Sequence, residues 1–238
     1  MIWYEALPTD KSWNSLWSGY VACSCRGIRR LDAHCSACGE PPHSAKQSTY
    51  FEFTDANGVK HSIASATYMG VEGRYEDWVY LQMLEREWLR PITDEDRFLK
   101  ISERSRPSAR AIVVLVFWTY FETKIERLLR VSLSKLPSSV MEDLLQRYSS
   151  VGSRMDRLYR IAFSTSYNSD LIDTGYSNTA SLLQRVQASR NKFMHGHPEA
   201  IDDTLVEDLI SGLKEEHESW IAVFNRRIAE ALASNPRV

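Results

Sequence analysis

The sequence predicts a mainly helical protein: an all-α bundle preceded by a small cysteine-bearing module with a β-hairpin. Three observations predict it. Apolar residues recur at helical spacing through most of residues 100–238. All four cysteines lie between Cys23 and Cys38. Directly after them, two short alternating stretches flank a turn signal, Asp55-Ala-Asn57-Gly58. The partition expected is an N-terminal module with a bridging helix over 1–92 and a helical domain over 100–238.

Composition bounds the function classes. At 238 residues with 43% hydrophobic content, the chain has ample material for a core. The net charge is −2 and the pI about 6.3, which gives no global signature of a duplex DNA binder. Charge is uneven: residues 1–99 hold 10 Lys+Arg against 14 Asp+Glu, and residues 100–238 hold 19 against 17. That mild asymmetry fits a local pocket for a short single strand. The segment after Met1 has neither a basic start nor a long apolar core, so no signal peptide is expected. The most apolar run, Ala111 to Tyr120, is too short to span a bilayer, which takes about 20 residues. A cytoplasmic protein with reduced cysteines is therefore expected.

In chain order, Trp3, Tyr4, Trp13, Trp17 and Tyr20 make an aromatic start, with Trp13, Leu16, Trp17 and Tyr20 at helical spacing. Packing onto the following domain is the default reading, and stacking on bases the alternative. Cys23-Ser-Cys25 and Cys35-Ser-Ala-Cys38-Gly39 then read as a metal site. Four thiolates satisfy zinc tetrahedrally and leave no position for substrate, so Cys23, Cys25, Cys35 and Cys38 are expected to hold a structural Zn2+. The first pair is CxC, not the commoner CxxC, so His34 or His43 is a possible substitute for one cysteine. Arg26, Arg29 and Arg30 fall between the pairs, by default in a solvated loop. Thr49–Phe53 and Val59–Ile63 form the hairpin of a zinc ribbon. Trp78, Leu81, Leu84 and Trp88 mark a helix over Glu76–Leu89, stopped by Pro91. A boundary is expected in the charged segment Thr93 to Arg106.

Pro107 is suited to the first turn of a long helix reaching Leu136, apolar nearly all round in its first half and therefore central. Glu122 follows that half; it must face solvent or meet a cation such as Arg190. Helices over Ser139–Tyr148 and Ser153–Phe163 come next, then a polar loop over Ser164–Tyr176. Ala180, Leu182, Leu183, Val186, Phe193 and Met194 define a helix from Ser177, ended by Gly196 and Pro198. Asp202 or Asp203 caps a last helix through Leu232.

The end of the Ser177 helix concentrates the chemistry. Asn191 and His195 are i, i+4 and share a face. Arg190 and His195 differ by five residues, a rotation of about 500°, so their heads converge only through the length of arginine and the ending of the helix. A histidine at a helix C-terminus is a suitable proton-transfer group, and a guanidinium holds a phosphate by paired hydrogen bonds. The pair suits attack of an RNA 2′-hydroxyl on the adjacent phosphate, without metal; the bland alternative is a helix end with a capping histidine.

Arg190-Asn191-Lys-Phe-Met-His195-Gly196, together with the first long helix FWTYFETKIERLL, resembles the HEPN superfamily over about residues 100–235. The resemblance implies a metal-independent endoribonuclease of the kind found in antiphage defence, toxin–antitoxin systems or RNA processing. It implies a homodimer with two motifs facing one cleft, and a possible antitoxin or sensor partner. Carried over by position, it makes Arg190 and His195 catalytic, Asn191 an orienting residue and Glu122 a supporting acid. The alternative is a non-catalytic HEPN-like dimerisation or nucleic-acid-binding module carrying a structural zinc ribbon.

Overall fold

The computed structural model describes residues 20–30, 33–42, 50–54, 58–64, 75–93 and 107–233. The aromatic start before Tyr20, His43, the residues 55–57 of the expected turn and most of the expected boundary segment lie outside them. The described residues form seven helices and two small antiparallel sheets. None of these helices is long and apolar enough to cross a membrane.

Two compact units result: Tyr75–Val223, and Trp17–Arg74 together with Phe224–Val238. This differs from the partition between 92 and 100 read from the sequence. Helix α1 (Tyr75–Leu89) packs along α2 (Ala111–Ser132), so it belongs to the helical unit and is not a bridge. Leu81 and Leu84 of its stripe are fully buried. Trp88 lies under the Arg110 guanidinium at 4.7 Å, and Arg90 donates to the Ala109 carbonyl at 2.9 Å.

Helix α2 is the centre of the helical unit. Val113, Val114, Phe117, Tyr120, Phe121, Ile125 and Leu129 are all inaccessible to solvent, as its all-round apolarity requires. It starts later than Pro107. The Ser108 N–H is taken by the Ile201 carbonyl at 2.7 Å, and the Ser108 hydroxyl accepts from the Arg110 N–H, so these residues form a turn and not a helical first turn. The helix also stops at Ser132, short of Leu136.

Helix α3 is Ser138–Arg147. Helix α4 comprises Val151–Ser153, a π-helical turn over Arg154–Leu158, and Tyr159–Phe163. The expected loop Ser164–Tyr176 is corrected: it contains helix α5, Tyr167–Asp173. The Ser166 hydroxyl accepts from the Ser169 N–H at 3.1 Å as an N-cap, and Tyr167, Asp170 and Leu171 bury one face. The polar residues between them hide that i, i+3, i+4 pattern. The Tyr159 hydroxyl donates to the Asp170 carboxylate inside this face.

Helix α6 is Ser177–Met194 and α7 is Asp203–Ala233, with a 3-10 turn at Pro198–Ala200 between them. Asp202 supplies the cap of α7, its Oδ1 accepting from the Leu205 N–H at 2.8 Å. Between α2 and α7, Lys124 and Glu216 form a fully buried ion pair, Nζ lying 2.8 and 2.7 Å from the two carboxylate oxygens. The Lys124 ammonium also lies over the rings of Tyr120 and Trp220.

In the other unit, β1 (Tyr20–Ala22) pairs with β2 (Ile28–Arg30), and β3 (Tyr50–Thr54) pairs with β4 (Lys60–Ala64). The hairpin read from the alternating stretches is present, with Gly58 at φ 80° beside its turn. It forms its own sheet, separate from β1 and β2, whose connecting turn holds Cys23 and Cys25.

Candidate metal centre and candidate catalytic site

The cysteine cluster is built from two matching turns. The Cys23 N–H donates to the Gly27 carbonyl at 2.9 Å, and Arg26, at φ 73°, turns the chain between them. In the second turn, the Gly39 N–H donates to the Cys35 carbonyl at 2.8 Å, with Gly39 at φ 76°. A Cβ at Gly27 would come within 3.2 Å of the Cys25 sulfur, so the first turn needs glycine there for closeness of approach. The Gly27 N–H points at the Cys25 sulfur at 3.3 Å, the contact that stabilises a thiolate.

These turns bring the four sulfurs within 4.8 Å of one another. Cys23 and Cys38 are 3.4 Å apart and Cys25 and Cys35 3.7 Å. A tetrahedron with metal–sulfur bonds near 2.3 Å has edges of about 3.8 Å, so the cluster fits a metal ion held by four thiolates. Burial pushes the Cys23 and Cys25 thiols up, Cys25 to about 11. A divalent cation supplies the positive charge that offsets this cost. His34 stays exposed and is no member of the group.

Arg29 is corrected from loop to staple. It is buried in β2 and donates to the Glu40 and Pro41 carbonyls and to the Glu40 carboxylate. Glu40 accepts in addition from the Ser24 hydroxyl and N–H. Asn225 closes the unit from the far end of the chain. Its side chain accepts from the Ile28 N–H at 2.7 Å and donates to the Ile28 carbonyl at 2.6 Å and the Ser36 hydroxyl at 2.8 Å. No local sequence signal marks Asn225 as part of this cluster.

The second site lies where α6 ends. Thr179, Ala180, Leu183 and Val186 form its buried face, and Arg190 continues that face one turn past Val186. There its guanidinium acts on Glu122 of α2. Glu122 is half-buried; burial raises its pKa, Arg154 and Arg190 oppose the rise, and Glu126 adds to it. The closest cation is Arg154, which meets Glu122 at 3.4 Å and Glu126 at 3.0 Å. The sequence reading missed Arg154; it stands on the π-helical turn of α4, where a one-residue widening redirects side chains without any mark in the hydrophobic period.

Asn191 and His195 are exposed on the other side of α6. Asn191 accepts from the Arg190 guanidinium at 3.2 Å. Among the described residues, the His195 imidazole meets neither Arg190 nor Glu122. The structure therefore pairs Glu122 with Arg154 and Asn191 with Arg190, and it leaves His195 facing solvent. The five-residue rotation separates the two heads within one chain.

Gly196, at φ 91°, ends α6 in a Schellman motif: its N–H donates to the Phe193 carbonyl and the His197 N–H to the Lys192 carbonyl, both at 3.1 Å. A hollow of roughly 350 Å3 opens beside this turn, lined by Ser189, Lys192, His197, Glu199 and Ala200. His197 Nδ1 lies 3.4 Å from a Glu199 carboxylate oxygen.

Comparison with protein-family models, curated proteins and solved structures finds no match for this chain.

Proposed function

We propose that this protein is a metal-independent, HEPN-type endoribonuclease, acting as a toxin or antiphage-defence effector, with a structural zinc ion in its cysteine unit. The observation that carries the reading is the end of α6. An exposed histidine, its side chain without a hydrogen-bond partner among the described residues, ends the helix that also presents Arg190, whose guanidinium donates to Asn191. Arg190 stabilises the charge of the phosphorane. His195 takes the proton of the 2′-hydroxyl as the 2′-oxygen bonds to phosphorus and the bond to the 5′-oxygen breaks, the leaving oxygen taking a proton from water. The products are a 2′,3′-cyclic phosphate and a 5′-hydroxyl. A homodimer in which two motifs face one cleft accommodates the divergence of Arg190 and His195 within a single chain. The zinc is assigned no catalytic part, because four thiolates close its shell.

The test is cleavage of a mixed RNA pool in EDTA by the wild type and by His195→Ala. The expected result is cyclic-phosphate ends from the wild type and a loss of about 10²–10⁴-fold in the variant. Undiminished cleavage by His195→Ala overturns the assignment. The divergence of Arg190 and His195 favours a second reading, a non-catalytic nucleic-acid-binding module. Stable RNA binding without turnover in either protein supports that reading instead.

A further inference from the structure

We propose that the hollow beside the α6 terminus is a nucleotide subsite of the same ribonuclease site. Lys192 and Ser189 take a phosphate next to the scissile one, and the Glu199–His197 pair takes a ribose hydroxyl. The assignment rests on the ribonuclease reading and gives roles to residues to which that reading assigns none.

Four features carry it. Among the described residues, the Lys192 ammonium and the Ser189 hydroxyl have no protein partner, yet both border the hollow. They are i, i+3 on α6 and so stand side by side, one cation and one neutral donor. The Schellman motif then fixes what faces them: the His197 backbone is tied to the Lys192 carbonyl, so its imidazole is carried to the same hollow without a flexible linker. Glu199 meets that imidazole at Nδ1, which orients the ring and leaves Nε2 unengaged.

The chemistry is mixed in sign. A purely cationic hollow suits any polyanion, whereas a carboxylate beside a lysine suits a ligand with a phosphate at one end and hydroxyl donors at the other. A ribonucleotide unit has this form, and its 2′-hydroxyl is the donor that deoxyribose lacks. The size agrees: roughly 350 Å3 is at the small end of ligand sites, which start near 300 Å3. Position agrees too. Lys192 and His195 are i, i+3, with Cβ atoms about 5–6 Å apart on an ideal helix, so a strand held at Lys192 passes His195.

The test uses the full-length, metal-loaded His195→Ala protein, which binds without cutting. A short labelled single-stranded RNA of mixed sequence and the DNA of the same sequence are titrated by fluorescence anisotropy over a range of salt. Adding Lys192→Ala is expected to weaken RNA binding about tenfold and to lower the salt slope by about 0.7, the loss of one phosphate contact. Adding Glu199→Ala is expected to reduce the preference for RNA over DNA several-fold. Lys214→Ala, at an exposed lysine elsewhere, is expected to change neither. In the otherwise wild-type enzyme, Lys192→Ala is expected to raise KM with kcat nearly unchanged. If Lys192→Ala and Glu199→Ala bind RNA as the parent does while the wild type still cleaves, the subsite is overturned and the ribonuclease stands. If the wild type neither binds nor cleaves RNA, both fall together.

Discussion

Glu122 shows how one residue is set by opposing forces. Burial raises its pKa, Arg154 and Arg190 pull it back, and Glu126 on the next turn of α2 pushes it up again, with a net rise. The folded state thus holds the Glu122 proton more firmly than the unfolded chain, where a glutamate titrates near 4.3. Its contribution to stability is full below that value and is lost as pH rises through the raised folded value. Glu122→Gln removes the loss while keeping the shape. Its melting temperature is expected to gain on the wild type as pH rises above about 4.3, measured by thermal unfolding across pH. A constant difference across that range speaks against the burial account. At the same scale, the exposure of Asn191 and His195 at the end of α6 leaves their side chains without a hydrogen bond to each other among the described residues. Placing Arg190 in line with the buried face of α6 needed the structure, because that face is defined by the burial of Leu183 and Val186.

At the scale of elements, the cysteine unit depends on a helix end that follows it by nearly two hundred positions. Asn225 pairs with both backbone groups of Ile28 in the manner of a neighbouring strand, and it also reaches Ser36 in the turn of the second cysteine pair. Asn225→Ala leaves the buried Ile28 N–H and carbonyl without these partners, at a cost of about 1–3 kcal/mol for each unsatisfied group. The expected outcome is weaker metal retention, read as faster transfer of the ion to a competing chelator, with the four cysteines untouched. Retention at the wild-type rate shows that β1, β2 and the two turns hold the site by themselves. The clustering of cysteines made the metal-capable group readable, because four thiols within sixteen residues have the spacing of metal ligands. The burial of Arg29 was not readable: an arginine between cysteine pairs has the same local signature whether it meets water or the Glu40 and Pro41 carbonyls.

For the whole molecule, the Lys124–Glu216 pair tests what the helical core needs. Both groups are sealed from water between α2 and α7, where removing one leaves an uncompensated charge. Glu216→Ala is expected to destabilise the fold by about 3–5 kcal/mol, whereas the double replacement Lys124→Met with Glu216→Leu is expected to be near neutral or stabilising. Chemical denaturation of the three proteins decides it. Comparable losses in the single and double variants mean that the pair contributes through the Tyr120 and Trp220 rings, which the lysine also meets.

The sequence by itself determined most of the local structure: a mainly helical chain, the α2 core, the hairpin, the four metal-capable cysteines and the end of α6 at Gly196. Each rests on information within a few residues, such as hydrophobic period, turn chemistry or ligand spacing. Only the tertiary structure decided that α1 belongs to the bundle, that α5 exists within a polar stretch, that Arg154 is the nearest cation to Glu122, and that Asn225 braces the cysteine unit. These outcomes depend on which distant groups compete for a buried partner. A charged or amide side chain carries no mark of that competition until packing removes the water that would otherwise satisfy it.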